Sequence, residues 1–323
     1  MLHKLSADRK TQPRKIWGAF GAMVVLTLTL CQLSLAATPA KQKSFATPEE
    51  AVKAAVDAAK NNNDKELLAI FGAQAKDLMF SGDAVADKQR RESFLAAYNE
   101  KNGIATEGDS RIVTVGNGAW PFPIPLVKKS DGWVFDTEKG REEILNRRIG
   151  TNELSAIQVV LALFDAQREY AMKDRDGDKI LEYAHRFRSE PGKKNGLYWD
   201  AKTGEEPSPL GPLAAQAQGA GYSARGAGAG QTGTPYHGYY FKILESQGKN
   251  AAGGAYSYVV KGNMLGGFAF VAFPAEYGNS GVMTFLVNHD GKVFQKDLGK
   301  NTADTAAAMK EYNPDKTWAE VKE

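Results

Sequence analysis

Helical spacing of apolar residues gives way to two-residue alternation twice along this chain. That repeated order, helices first and strands after, confines it to the α+β class with antiparallel sheets. The first helical run opens at Thr47-Pro48-Glu49-Glu50, an N-cap followed by proline at the first helical position and a glutamate placed to close a capping box. Val52, Ala55, Val56 and Ala59 then recur at helical spacing until Asn61-Asn62-Asn63 stops them. Asp64 is placed to cap a second helix with Leu67, Leu68 and Phe71 inward, and a third carries Phe94, Leu95 and Tyr98 up to Gly103. Residues 112–115 read as a strand, and 124–127 with 133–135 as a hairpin turned over 128–132. Pro121, Pro123 and Pro125 make that strand an edge or delay its start.

The second cycle begins at Thr151. Leu154, Ile157, Leu161 and Phe164 form one apolar stripe on a helix of about six turns, with Asp165, Arg168 and Glu169 on the water side. Residues 189–236 follow as a long loop rich in Gly, Pro and Ala, with GAGAG at 226–230. Strands are expected at 239–244, 256–260, 268–273 and 282–287, the last turned through Asn288-His289-Asp290-Gly291 into 293–296, and a short helix around 302–312 closes the chain. The expected organisation is a small domain of helices and a curved antiparallel sheet over 47–140, then a long helix packed on an antiparallel sheet over 150–312.

Ahead of these lie Lys4, Arg9, Lys10, Arg14 and Lys15, an uncharged run over 16–35, and the small residues Ala36 and Ala37, the layout of an export signal spanning 1–36. Residues 37–46 then serve as a linker. Export to the periplasm or the outside of a bacterial cell is the expectation. The alternative is inner-membrane anchoring by an uncleaved 16–35, long enough for a bilayer, and Cys31 raises lipid modification as a third option. Residues 1–36 hold five of the 41 Lys and Arg and one of the 38 Asp and Glu, so the remainder is close to neutral. Its charge gives no reason to expect nucleic acid or anionic membrane as a partner. The one cysteine, Cys31, also falls in this segment, so a mature chain has neither a disulfide nor a thiol nucleophile.

No catalytic or cofactor-binding set assembles from the residues. His185, His237 and His289 form no HExxH pair, no GxSxG elbow is present, and GAGAG lacks the strand and the GK[ST] tail of a phosphate loop. Asp174, Asp176 and Asp178, with Glu182 four residues on, offer oxygen ligands that suit calcium, although Gly177 interrupts the EF-hand order. The alternative is that Asp174 ends one helix, Gly177 supplies a turn and Asp178 caps the next helix. Tyr198 and Trp199, near the proline-rich run 207–213, are a candidate contact surface, or they pin the loop to the sheet. Glu276, Tyr277 and Asn279 are a second polar candidate, although a turn built on Gly278 and Gly281 explains the same string.

The opening phrase TPEEAVKAAVDAAKNNNDKELLAIF, with the strands after it, resembles the cone-shaped folds similar to nuclear transport factor two, in which Trp120, Phe122, Trp133 and Phe135 would be cavity walls. NELSAIQVVLALFDAQREYA, with GYYFKIL and FVAFPAEYGNSGVMTFLVNHDGKV, resembles the globular part of type IV pilins and type II pseudopilins. There, however, the hydrophobic segment runs directly into the helix. The strings WPFPIPLV, REEILNRRIGTNELSAIQ, DRDGD and FPAEYGNSGVMTFLVNHDG resemble an exported bacterial family, domain of unknown function 2950. The family likeness implies export and no activity; with no catalytic, cofactor or firm metal set among the residues, the expectation is a non-enzymatic envelope protein acting through contacts with another envelope protein. The alternative is a small-ligand-binding or enzymatic cone-like N-terminal domain.

Overall fold

The structure, a computed structural model, describes residues 41–223 and 234–322; residues 1–36, expected to be an export signal, and the GAGAG stretch lie outside the described residues. Thr47 opens α1 (Pro48–Lys60) as expected: its Oγ1 accepts from the Glu50 N–H at 3.2 Å, and Glu50 in turn accepts from the Ala46 N–H at 3.2 Å. In α2 (Asp64–Phe71) the cap is Asn63 rather than Asp64, since Asn63 Oδ1 takes the Glu66 N–H. Leu67 and Ile70 are the fully buried side chains of that helix. A short α3 (Lys76–Met79) leads to α4 (Ala84–Glu100), which ends before Gly103.

Gly103 lies instead in β1 (Asn102–Glu107), a strand the sequence pattern does not reveal. It pairs with β2 (Ser110–Val115) from Asn102↔Val115 to Glu107↔Ser110. β1 is an edge strand whose side chains are mostly exposed, so it carries no inward apolar set to read. The other side of β2 is shared by β3 (Trp120–Pro121) and β4 (Leu126–Lys129), and β4 forms the expected hairpin with β5 (Gly132–Phe135). Pro121 lies in β3, which pairs only with β2, while Pro123 and Pro125 precede β4 and delay its start to Leu126. Residues 41–46 also join this half: Lys43 N–H donates to Ala69 O at 2.8 Å, and Phe45 exchanges backbone hydrogen bonds with Trp133.

The long helix α5 (Thr137–Tyr170) has 34 residues and starts 14 positions before Thr151. Residues 137–150 contain Gly140 and Gly150 and little apolar periodicity, which hides the start. The buried face also differs from the stripe expected. Leu154 is 65% and Leu161 37% exposed, whereas Ala156, Val159, Val160, Leu163, Ala166 and Tyr170 are buried together with Asn152 and Gln167. Apolar residues occur on both sides of the helix, and the true face is diluted by small and amide side chains. Gln167 is tolerated there because it closes a reciprocal pair with the Ala184 backbone, both bonds at 2.8 Å.

The two glycines of α5 give a contrast of sign. Alanine in a helix interior is worth about 1 kcal/mol over glycine. A Cβ at Gly150 meets nothing within 4 Å, so Gly150→Ala is expected to raise stability by most of that amount. At Gly140 a Cβ would stand 2.7 Å from Ile124 Cγ1 and 2.8 Å from the Pro123 carbonyl oxygen. Gly140→Ala is therefore expected to lose about 1–3 kcal/mol to overpacking. Urea midpoints moving in opposite directions would bear this out, and shifts of the same sign would refute it.

Beyond α5, the chain at 180–200 runs through isolated bridges, Tyr183↔Met264 and Arg188↔Tyr198, and no helix follows Asp178. The expected loop 189–236 contains α6 (Gly211–Gly219), with Ala214 and Ala217 buried; the glycine and proline density around it masks a short alanine-rich turn sequence. Next come β6 (Tyr239–Leu244), the two-residue pieces β7 (Ser246–Gln247), β8 (Tyr256–Ser257), β9 (Val259–Val260) and β10 (Asn263–Met264), then β11 (Ala269–Pro274), β12 (Met283–Asn288), β13 (Val293–Asp297), α7 (Thr302–Ala308) and β14 (Ala319–Glu320). The expected strand at 256–260 is broken at Tyr258, whose fully buried side chain donates to Gln247 Oε1 at 3.0 Å. The main sheet is antiparallel in the order β14-β13-β12-β11-β6, and all six residues of β11 are buried under contacts with α5 and α7. Pro39–Glu323 form one compact unit holding two apolar cores, one around α1, α2 and the first sheet and one around α5 and the second. Among the described residues no helix is long and apolar enough to cross a membrane.

Candidate ligand cavity

The stripe that the sequence shows on α1 does more than fill a core. Val52, Ala55, Val56 and Ala59 form one wall of a cavity of about 590 Å³, closed further by Leu67 and Phe71 of α2 and by Val113, Phe122, Ile124 and Phe135 on the sheet side. Two of the four α1 residues are alanine, so the helix approaches the sheet without occupying the space between them. Phe71 and Phe135 meet at a tilt of 43° with ring centres 4.6 Å apart, and Phe94 and Phe122 at 52° and 5.3 Å, so aromatic rings form much of the wall. Of the four aromatics expected as walls, Phe122 and Phe135 line the space. Trp120 is 69% exposed, and Trp133 is covered on one side by the Arg111 guanidinium at 5.2 Å, away from the cavity. Both flank turns of the sheet, which alternation alone does not distinguish from inward positions.

The polar end comes from two helices. α4 supplies Asp87, Arg90, Arg91 and Phe94, and α5 supplies Ile144, Arg147, Arg148 and Thr151. Both sets are spaced i, i+3, i+4, i+7, so one face of each helix turns to the cavity. Three of the arginines have a carboxylate partner: Arg90 with Asp87 at 3.1 Å, Arg91 with Asp64 at 2.8 Å and Arg147 with Glu143 at 2.6 Å. Arg148 has none among the described residues. Only 5% exposed, it donates to the backbone carbonyls of Asp77, at 3.0 Å, and Leu78, and to Asn279 Oδ1, while its Nε finds no partner. Burial first, and then the neighbouring Arg90 guanidinium, pull Arg148 down to about 10 against the opposing carboxylates of Asp87, Glu276 and Asp77, which still leaves it charged at neutral pH.

Glu276 and Asn279, read from the sequence as polar candidates, meet this end from behind. Asn279 accepts from Arg148 and donates to Glu276 Oε2 at 2.7 Å and to Phe80 O at 3.2 Å. Tyr277 points elsewhere and donates to Asp297 Oδ2 at 3.1 Å. Trp199 is only 8% exposed, its indole N–H held by Glu206 O at 3.0 Å, so it anchors the loop and is withdrawn from any contact surface. Tyr198 lies half-buried beside it, with its hydroxyl on Asp200. None of the three histidines lines the cavity. His185 lies 3.2 Å from Glu245, and His289 packs edge-on to Tyr258 and Phe268.

Asp174, Asp176 and Asp178 are brought together, with one carboxylate oxygen from each within 4.8 Å of the others, all on the surface. Glu182 stands outside the group and accepts from the Met264 N–H at 3.3 Å. Asp174 spends both oxygens on backbone donors, the Gly177 N–H at 2.7 Å and the Lys179 N–H at 2.9 Å, and these hold its carboxyl below the ordinary aspartate range. A lowered carboxyl supports the turn above its usual titration and releases it only as pH falls through the lowered value. The Gly177 and Lys179 amide resonances are therefore expected to titrate together with a midpoint below that of free aspartate; a midpoint at or above it would contradict the turn.

Fold and cavity together define an α+β protein with an apolar pocket capped at one end by arginines. The chain belongs to the family described as "protein of unknown function (DUF2950)", whose model matches residues 42–321. No curated protein and no solved structure matches it.

Proposed function

We propose that this protein is an extracytoplasmic binding module that takes up an apolar small molecule in the cavity between α1, α2, α4, α5 and the first sheet. The observation that carries the reading is the size and lining of that space. Its volume, about 590 Å³, falls in the range of small-molecule sites, roughly 300–1,000 Å³. The space opens to solvent, which gives a small molecule a way in, and its walls are apolar side chains with one polar end built from α4 and α5. A protein-contact role draws less support, because Trp199 lies in the interior and Tyr277 is separated from Asn279 and Glu276.

The test is fluorescence titration of the purified protein with N-phenyl-1-naphthylamine, a neutral apolar probe that brightens out of water. Saturable enhancement with one probe per chain is expected. A signal that rises linearly without saturation would overturn the reading.

A further inference from the structure

Resting on that reading, we infer that the natural occupant is an uncharged, lipid-like molecule with no ionised head, and that Glu276 enforces this from outside the cavity by balancing the charge of Arg148. The pairing of charges around the polar end carries the inference. The guanidiniums of Arg90, Arg91, Arg147 and Arg148 line the space. The first three each touch a carboxylate, those of Asp87, Asp64 and Glu143 respectively. Arg148 reaches its counter-charge through an amide instead: it donates to Asn279 Oδ1, and Asn279 Nδ2 donates to Glu276 Oε2 at 2.7 Å. No cation is in direct contact with Glu276 among the described residues, so its charge is left to act on Arg148, where Asp87 and Asp77 act in the same sense. Four guanidiniums thus stand against four carboxylates, Asp64, Asp87, Glu143 and Glu276.

The donors are engaged as fully as the charges. Arg148 gives its remaining Nη hydrogens to the carbonyls of Asp77 and Leu78, and its Nε is sealed from the space. Arg90 gives Nη1 to Asp87 and Nη2 to Asn152 Oδ1, both at 3.1 Å. A carboxylate entering here would lose its hydration and meet guanidiniums already balanced, and an ammonium would lose its own and meet no free carboxylate. Hydrocarbon loses nothing on entry, and a hydroxyl loses far less than an ion. Thr151 gives such a hydroxyl a partner at the α5 side of the opening: its Oγ1 donates to Arg147 O at 2.8 Å and keeps lone pairs that can accept.

The experiment is displacement of N-phenyl-1-naphthylamine from the full chain by 1-dodecanol, laurate and dodecylamine, at neutral pH and below their micellar concentrations. Dodecanol is expected to displace more tightly than either ion by about tenfold or more. In Glu276→Gln, which keeps the bond to Asn279 and removes the counter-charge, the affinity for laurate relative to dodecanol is expected to rise about threefold or more, and that for dodecylamine is not. Should that variant not fold, Glu143→Gln, which releases Arg147 at the opening, is expected to move the ratio the same way. Laurate or dodecylamine displacing as tightly as dodecanol from the native chain, or a ratio unchanged in the variant that folds, would overturn the inference while leaving probe uptake as support for the cavity. A chain that takes up no probe at all would remove both.

Discussion

Asp83→Ala is expected to destabilise the protein by about 3–5 kcal/mol, because one buried carboxylate serves three donors from three separate parts of the chain. Asp83 is 1% exposed. Its Oδ1 caps α4 by accepting the Ala86 N–H at 3.0 Å, and its Oδ2 accepts the Tyr222 hydroxyl at 2.8 Å and the Gly238 N–H at 2.9 Å. Loss of the cap alone costs about 1 kcal/mol. The larger share comes from Tyr222 and Gly238, both buried, whose donors would lose their acceptor with no water to replace it; each such group costs about 1–3 kcal/mol. The carboxylate also holds the Tyr222 proton, since burial first and then Asp83 push that phenol well above its ordinary range. Urea denaturation followed by circular dichroism checks the magnitude, and a loss under about 1 kcal/mol would rule the account out. Because residues 222 and 238 belong to the second half and α4 to the first, the native protein is expected to unfold in a single transition that becomes biphasic in the variant.

Local chemistry was legible in the sequence wherever a single segment decides the outcome. Thr47, Pro48 and Glu50 specify the start of α1 by capping geometry, and the short apolar runs at 239–244, 268–273 and 282–287 match β6, β11 and β12 to within a residue. These signals are strong because β11 and β12 are buried over nearly their whole length. Legibility fails where tertiary contacts choose between local options. Helical spacing on α5 permits two apolar faces, and the one that packs contains Asn152 and Gln167, whose burial depends on hydrogen-bond partners far along the chain. The candidate site failed for the same reason. Its arginines occur as two Arg-Arg pairs, 90–91 and 147–148, each of which reads alone as solvated charge on a helix. Only the crossing of α4 and α5 turns both pairs toward one space. The signal that could have found them is the matching i, i+3, i+4, i+7 frame around each pair, with Phe94 at one end of one frame and Ile144 at one end of the other.

Those small residues on α1 give the second large expectation, in which stability and binding move in opposite directions. Ala55 and Ala59 lie one turn apart, each 8% exposed, and both face the cavity. Leucine has nearly the helix propensity of alanine, so Ala55→Leu combined with Ala59→Leu leaves the backbone preference almost unchanged and acts through the space alone. In a filled core such added bulk costs about 1–3 kcal/mol through overpacking. Here the new side chains enter apolar volume that already exists, and burying hydrocarbon contributes about 0.8 kcal/mol per methylene. Part of this is offset by the rotamer freedom lost on burial, about 0.5–1 kcal/mol for each leucine. The six added carbons less the entropy of two leucines leave an expected gain of about 3 kcal/mol in urea denaturation, while the affinity for N-phenyl-1-naphthylamine falls more than tenfold. A variant that is destabilised and still takes up the probe at the native affinity would mean that α1 does not bound the binding space. A gain in stability with a loss of uptake would show that the alanines are kept at a cost to the fold, as expected of residues selected for the volume they leave.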